Sequence, residues 1–236
     1  MVVMVEFIGL ALLAIGIKLV LSIIVPRIIV WIKRRRYLYQ IREYVEQLEK
    51  MDAEYKPEKP DVEMASRCKE YMSQMFPDGV NERTKNMSDE ELIAFFQNLV
   101  ADVQTLMDVN VDKVEFYSTD NPPACYSCGC YIHSERAIRI NAAFILSRNP
   151  LLVEEQVYTI FHELMHARQW AAIEGKLYDT KDYGYSDEQI DSWTRNFQNY
   201  VPSYVSDELY RKQPVELCAF GFENLLKGEN NTDVVS

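Results

Sequence analysis

The stretch that decides the fold reads N-P-L-L-V-E-E-Q-V-Y-T-I-F-H-E-L-M-H-A-R-Q-W-A-A-I and covers residues 149–173. Asn149 is a preferred N-cap residue, and Pro150 suits the first helical position because its missing N–H would be unpaired there anyway. The acidic Glu154 and Glu155 follow in the early turns, where they interact favourably with the positive end of the helix dipole. The stretch therefore predicts one long helix.

Within this helix, residues 162–166 read H-E-L-M-H, which is the H-E-x-x-H pattern. Residues four apart lie on one helix face, so His162 and His166 can bind the same zinc ion. Glu163 lies beside that face and can accept a proton from a water molecule whose pKa the metal lowers. The chain has three histidines, and two of them are in this motif. The pattern predicts a zinc site with Glu163 as the catalytic base.

A catalytic zinc ion usually has three protein ligands and one open position. The longer pattern H-E-x-x-H-x-x-G-x-x-H is excluded, because Gln169 and Ala172 stand where it needs glycine and histidine. A carboxylate from a later helix remains, and Glu216 in the segment Q-P-V-E-L-C-A is the main candidate. The small Ala219, one turn further on, would let that helix approach closely. Three other acidic residues stay open as alternatives: Glu174, Asp191 and Glu208.

Three cysteines and a histidine lie close together before the metal-binding helix. Cys125, Cys128, Cys130 and His133 are spaced closely enough to enclose a second metal ion, although structural sites usually have two separated pairs. The alternative is that the cysteines fill space in a strand as small apolar residues. His133 and Tyr210 are also candidates for stabilising an oxyanion, since each can donate a hydrogen bond.

The N-terminal segment predicts membrane attachment. Residues 7–25 are apolar apart from Lys18 and Ser22, and about twenty such residues span a bilayer. The run K-R-R-R at 33–36 follows, and basic residues are retained on the cytoplasmic side. We expect a single-pass membrane anchor over 1–33 with a cytoplasmic catalytic domain. The alternatives are an amphipathic helix in the membrane plane and an extracytoplasmic enzyme of inverted topology.

Two prolines mark a domain boundary further along the chain. The stretch K-P-E-K-P at 56–60 interrupts any helix, so we expect a juxtamembrane helix and linker over 34–60. Residues 61–236 then form the metallopeptidase domain.

The order of elements in that domain predicts its fold class. Ser88 and Glu91 have the spacing of a capping box and open a helix. Residues 113–118 alternate like a strand, and 128–141 look like a hairpin with a polar turn. Helices follow near 187–200 and 206–227. Helices, then a small sheet, then helices indicate an α+β fold.

Charge and cysteine content argue against a nucleic-acid-binding protein and against a disulfide-stabilised one. The formal net charge is -11, and six of the basic residues lie within the first 36 positions, so the rest of the chain is strongly acidic. An acidic body does not suit nucleic-acid binding, because phosphate contacts need clustered lysine and arginine. Five cysteines, with three of them within six residues, do not form a disulfide framework and are typical of a reducing compartment.

Three features together resemble the small gluzincin-type peptidases of the ImmA/IrrE kind. They are the hairpin end I-R-I-N at 138–141, the H-E-L-M-H motif, and E-x-x-A-x-x-F from Glu216 to Phe222 followed by two leucines. The resemblance covers roughly residues 113–227. It implies a compact zincin-like domain with the metal between two helices under a short sheet. It also implies a protein substrate, often a repressor or another regulatory protein. The chain departs from that pattern in its N-terminal segment and in having no recognisable helix-turn-helix.

The sequence thus predicts a membrane-anchored, zinc-dependent endopeptidase with a protein or peptide substrate and no nucleic-acid partner. An edge strand of the hairpin would bind the substrate backbone in extended form. The alternative is a catalytically silent zinc-binding protein of the same fold that regulates a partner. Glu163 favours the enzyme, because a purely structural site needs no base.

Overall fold

The computed structural model describes residue 18 and residues 20–51, 54–117 and 128–228. A π-helical turn, Val20–Ile24, precedes ten α-helices in these ranges. They are α1 (Val25–Gln40), α2 (Arg42–Lys50), α3 (Lys59–Met75), α4 (Val80–Thr84), α5 (Asp89–Leu106), α6 (Ala142–Leu146), α7 (Pro150–Tyr178), α8 (Asp187–Gln198), α9 (Asp207–Lys212) and α10 (Pro214–Lys227). The strands are β1 (Lys113–Tyr117), β2 (Gly129–Ile132) and β3 (Ala137–Asn141).

The three strands form one sheet in the order β1-β3-β2. β3 pairs in parallel with β1 and antiparallel with β2, so the predicted hairpin is confirmed and β2 is an edge strand. The Asn141 N–H donates to the Cys128 carbonyl across the hairpin (2.9 Å). Hydrogen-bonded and non-bonded pairs alternate along an antiparallel ladder, so Tyr131 directs its backbone N–H away from β3. The edge of β2 therefore presents that donor to the neighbouring helix layer.

α7 is the central helix of the fold, and its start was predicted correctly. The Asn149 side chain accepts a hydrogen bond from the Leu151 N–H (3.0 Å), and Pro150 occupies the first turn. Every side chain from Thr159 to Gln169 is buried. A helix that is buried all round needs neighbours on every side. Here β2, β3 and the helices α5, α8 and α10 supply them.

A buried polar network fixes α7 against the helices around it. The Asp61 carboxylate of α3 accepts hydrogen bonds from the hydroxyls of Tyr55 (3.0 Å) and Tyr185 (2.8 Å). Arg168 of α7 donates to the Tyr185 hydroxyl (3.0 Å) and to the Met107 carbonyl (2.7 Å). Burial would be costly for these groups without such partners. The network therefore holds the register of α7.

The chain divides into two compact units. The larger one comprises Asp52–Tyr200 and Arg211–Ser236 and contains the sheet and α7. The smaller one comprises Met1–Met51 and Val201–Tyr210. In its described part, the Arg34 side chain donates to the Val205 carbonyl. Five side chains form its core: Ile41, Leu48, Val201, Val205 and Leu209.

The predicted membrane anchor requires a correction. Among the residues that the structure describes, no helix has both the length and the apolar character needed to cross a membrane. The anchor over 1–33 is therefore wrong, and so is the single-pass membrane location. The physical reason is that α1, which overlaps the end of the predicted anchor, has 16 residues and contains five basic ones: Arg27, Lys33, Arg34, Arg35 and Arg36. Residues 1–17 and Leu19, which the anchor also included, lie outside the described residues.

The predicted fold class is also wrong. It includes the transmembrane helix, and it overestimates the share of β-structure relative to helix. An α+β fold with an N-terminal transmembrane helix was expected. The described residues instead form a mainly helical structure with a single sheet of three short strands and no membrane-spanning helix. The error in balance arises because hydrophobic periodicity reveals which elements exist but not how many helices cover a small sheet.

A buried glutamine in α7 provides a test of this packing. Gln156 is 0% exposed, and neither its amide nitrogen nor its amide oxygen has a hydrogen-bond partner in the described structure. We expect Gln156→Met to raise the free energy of unfolding by about 1 kcal/mol, because it removes two unpaired polar atoms from the core. Urea denaturation of the full-length chain measures this.

Gln169 is the matched control on the same helix. Its amide is also buried but is bonded to His166 and to the Val215 carbonyl. Gln169→Met should therefore lower the free energy of unfolding by about 2 kcal/mol. Equal destabilisation by the two substitutions would contradict the packing described for Gln156.

Candidate metal centre

Three side chains from two helices meet in one buried group. His162 and His166 extend from α7, and Glu216 extends from the first turn of α10. His162 Nε2 lies 3.2 Å from Glu216 Oε2, and His166 Nε2 lies 3.3 Å from Glu216 Oε1. One ligand atom of each residue lies within 4.8 Å of the others, so the group could hold a metal ion. The structure thus brings together the three residues that the sequence selected.

The donor set and its spacing fit a divalent cation. Two imidazoles and one carboxylate are the protein ligands of many catalytic zinc ions. Ligand atoms about 2.0–2.1 Å from a tetrahedral ion lie about 3.3 Å from one another. His162 Nε2 and His166 Nε2 lie 3.2 and 3.3 Å from the Glu216 carboxylate, each facing a different one of its two oxygens. The three side chains are therefore close enough together to share one ion.

The electrostatics of the group favour positive charge at its centre. Burial alone would lower the pKa of His162, but the hydrogen bond and charge of Glu216 outweigh it and raise that pKa to about 10. Burial also opposes the charged form of His166, yet the Glu216 charge raises its pKa. Burial would raise the pKa of Glu216, but the two imidazoles lower it. Stabilising positive charge where the three side chains meet is also what cation binding requires.

Gln169 sets the tautomer of His166. Its amide nitrogen donates to the Val215 carbonyl (2.9 Å), so its oxygen is the atom that faces His166 Nδ1 at 3.0 Å. Because an amide oxygen only accepts, Nδ1 carries the proton and the lone pair of neutral His166 is on Nε2. That is the nitrogen which points at Glu216. The same amide joins α7 to the residue that precedes Glu216.

Glu223 has the corresponding role for His162. Its Oε2 lies 3.5 Å from His162 Nδ1, so the carboxylate favours a proton on that nitrogen and leaves Nε2 for a metal. Glu223 also accepts from the Lys227 ammonium (2.6 Å). Burial opposes ionisation of Glu223, but His162 and Lys227 lower its pKa. Both imidazoles are therefore oriented by acceptors on the side away from Glu216.

Glu163 lies between the metal group and the edge strand. Its Oε2 accepts a hydrogen bond from the Tyr131 N–H at the open edge of β2 (2.7 Å). Gly129 makes this approach possible, because a Cβ atom there would lie 2.8 Å from Thr159 Cγ2 and 3.5 Å from Glu163 Cγ. Burial raises the pKa of Glu163, while the two histidines and the Tyr131 amide lower it less strongly. A carboxylate with a raised pKa beside a metal group suits a general base.

Tyr200 is a site residue that the sequence did not reveal. Its hydroxyl donates to Glu216 Oε1 at 2.6 Å and so helps to hold the carboxylate in place. The chain has 15 tyrosines, and no spacing rule distinguishes this one. It becomes recognisable only when the end of α8 is placed beside the start of α10.

The remaining candidates from the sequence are Tyr210, His133 and the cysteines. Tyr210 belongs to the smaller unit, and His133 stacks on Trp170 and lies 3.8 Å from Glu174. Cys128 and Cys130 are half-buried and do not join a metal-binding group among the described residues, while Cys125 lies outside them.

The three alternative third ligands do not belong to the metal-binding group found among the described residues. Glu174 accepts from Arg136 (3.3 Å), and Asp191 accepts from Lys176 (3.1 Å). Glu208 is exposed on α9, in the smaller unit. Glu216 is thus the acidic residue that the structure brings to both histidines.

Comparison with protein-family models, with curated proteins and with solved structures gives no match for this chain. The resemblance to the ImmA/IrrE peptidases therefore stays a prediction, and the function must be argued from the site itself.

The contact between Glu223 and His162 can be tested by metal affinity. We expect Glu223→Gln to weaken zinc binding by about 10- to 100-fold. Removing the carboxylate that accepts a hydrogen bond from a metal-binding imidazole typically lowers metal affinity by that factor. Competition with a chromophoric chelator measures the dissociation constant. Glu155→Gln is the matched control, since Glu155 contacts the same Lys227 (3.5 Å). Equal affinities of the two variants would contradict a role for Glu223 in orienting His162.

The hydrogen bond from the Tyr200 hydroxyl to Glu216 can be tested separately. Tyr200→Phe removes one donor to Glu216 and should weaken zinc binding by about tenfold, the effect of roughly 1.4 kcal/mol from one charge-assisted hydrogen bond. The same chelator competition measures it, with Tyr204→Phe as the control because Tyr204 is exposed. If Tyr200→Phe binds zinc as tightly as the control, Tyr200 does not position the ligand.

Proposed function

We propose that this chain is a zinc-dependent endopeptidase that hydrolyses peptide bonds of a protein or peptide substrate. One observation carries the proposal: the buried group of His162, His166 and Glu216 has a carboxylate, Glu163, beside it on the same helix. The set of two histidines and one glutamate is the reason for proposing zinc. A structural site would need no additional base, which favours an enzyme over the catalytically silent alternative.

Zinc, when bound there, would supply a Lewis acid that polarises the substrate carbonyl and lowers the pKa of water. The chain itself supplies the proton transfers. Glu163 Oε2 is held by the Tyr131 amide, so Oε1 is the oxygen we assign to accept the proton of the attacking water. The same carboxyl group then delivers that proton to the nitrogen of the leaving amine.

The edge strand β2 is the proposed binding surface for the substrate backbone. Tyr131 directs its backbone N–H and carbonyl away from β3, as residues outside the bonded pairs of an antiparallel ladder do. An extended peptide can add to such an edge through main-chain hydrogen bonds. Because the Tyr131 N–H already contacts Glu163, a peptide on this edge would pass directly over the base.

The test combines metal content with peptide hydrolysis by the full-length chain. We expect about one zinc per chain by elemental analysis, and cleavage of an unfolded protein such as casein, followed by mass spectrometry. Glu163→Gln should keep the zinc and lose at least about 1000-fold in rate, because it removes the base but no ligand. Glu216→Ala should lose both zinc and activity.

Two results would contradict the proposal. Full activity of the zinc-loaded Glu163→Gln variant would exclude Glu163 as the base. A zinc-loaded wild-type chain without hydrolytic activity on any unfolded protein would favour the silent zinc-binding alternative.

A further inference from the structure

Three aromatic rings are stacked in the larger unit and take no part in the roles described so far. The rings of His133 and Trp170 have centroids 3.6 Å apart and planes within 5° of each other. Trp170 and Phe197 stack with centroids 4.4 Å apart. The turn after β2, helix α7 and helix α8 each contribute one ring, and all three rings are half-buried. We call His133, Trp170 and Phe197 the aromatic stack.

Trp170 places this stack on the metal-binding face of α7. It follows His166 by four residues and Glu163 by seven, and residues at those spacings share a helix face. At 1.5 Å per residue, Trp170 lies about 6 Å further along the helix than His166. The stack is therefore next to the metal group along α7.

The edge strand leads from the base to the stack. The Tyr131 N–H contacts Glu163, and His133, two residues later, stacks on Trp170. β2 and the turn after it thus run beside α7 in the same direction. A peptide lying along this edge would pass from Glu163 toward the stack. An extended chain rises about 3.3 Å per residue, so about 6 Å corresponds to about two residues.

The surroundings of the stack favour an uncharged, flat side chain. Glu174, whose Oε1 lies 3.8 Å from His133 Nε2, accepts from Arg136 at 3.3 Å, so these two charges compensate each other. Burial lowers the pKa of His133, which favours its neutral ring. Ring faces and edges in such an environment attract other aromatic rings through offset or edge-to-face contacts.

On the basis of the proposed peptidase function, we propose that the aromatic stack is a substrate subsite. It would take an aromatic side chain about two residues from the scissile bond. Phenylalanine, tyrosine or tryptophan at that position would be selected over small or charged residues.

Cleavage-site profiling tests the proposal. The zinc-loaded full-length chain is incubated with a proteome-derived peptide library, and the cleaved bonds are identified by mass spectrometry. We expect about tenfold enrichment of aromatic residues at one position about two residues from the cleaved bond, the size of discrimination that an apolar pocket provides. Trp170→Phe should keep this preference, and Trp170→Ala should lose it.

The matched control is Tyr178→Ala, which removes an exposed aromatic ring from the same helix and should keep the preference. His133→Ala is the second variant, because His133 lies in the turn after β2 and its removal leaves α7 unchanged. It should weaken the preference even if Trp170→Ala fails to fold. Zinc content and melting temperature confirm that each compared variant is folded and loaded.

Binding without turnover provides an independent measurement. Tripeptide hydroxamates that extend to either side of the metal are compared in pairs that end in phenylalanine or alanine. In one of the two series, the wild type should bind the phenylalanine compound about tenfold more tightly than the alanine compound. The Trp170→Ala variant should bind the two compounds equally. Isothermal titration calorimetry gives the dissociation constants.

The outcomes separate the two proposals. Cleavage and hydroxamate binding without an aromatic preference would overturn the subsite and leave the peptidase function standing. A zinc-loaded chain that neither cleaves peptides nor binds hydroxamates would overturn both.

Discussion

The buried carboxylate of Glu216 is the constraint on which the rest of the structure depends. An ionised carboxylate away from water is very costly unless it is paired, and here two imidazoles and a tyrosine hydroxyl surround it. Helices α7 and α10 and the residues that follow α8 meet at this point and must therefore keep a fixed register. A cation at the same point would satisfy the same carboxylate, so the requirement for stability and the capacity for metal binding have one origin.

That register is maintained by buried amides rather than by apolar packing alone. Gln169 joins α7 to the Val215 carbonyl, and Asn196 of α8 accepts from the Val215 N–H (2.9 Å). Asn196 in turn donates to Gln213 (2.9 Å), at the N-cap of α10. Apolar contacts are compatible with small shifts between helices, whereas these directional bonds are not. They place Glu216 opposite the two histidines and orient His166 by the same set of contacts.

Whether a feature of the fold or the site could be predicted depends on how far apart in the sequence the interacting residues lie. The capping box at Ser88, the start of α7 at Asn149 and the pairing of His162 with His166 are local, and the structure confirms these placements. Glu223 and Tyr200 reach the site only through tertiary packing, so the sequence does not distinguish them from other glutamates and tyrosines. The membrane anchor was wrong because a count of apolar residues does not determine how far a helix extends or which charges it includes.

The most direct test of the metal centre is X-ray absorption spectroscopy at the zinc edge of the zinc-loaded full-length chain. We expect a first shell of nitrogen and oxygen atoms at about 2.0–2.1 Å, with the outer-shell scattering of two imidazoles and no sulfur. Sulfur at about 2.3 Å would place the ion at the cysteines instead. That result would contradict the site formed by His162, His166 and Glu216.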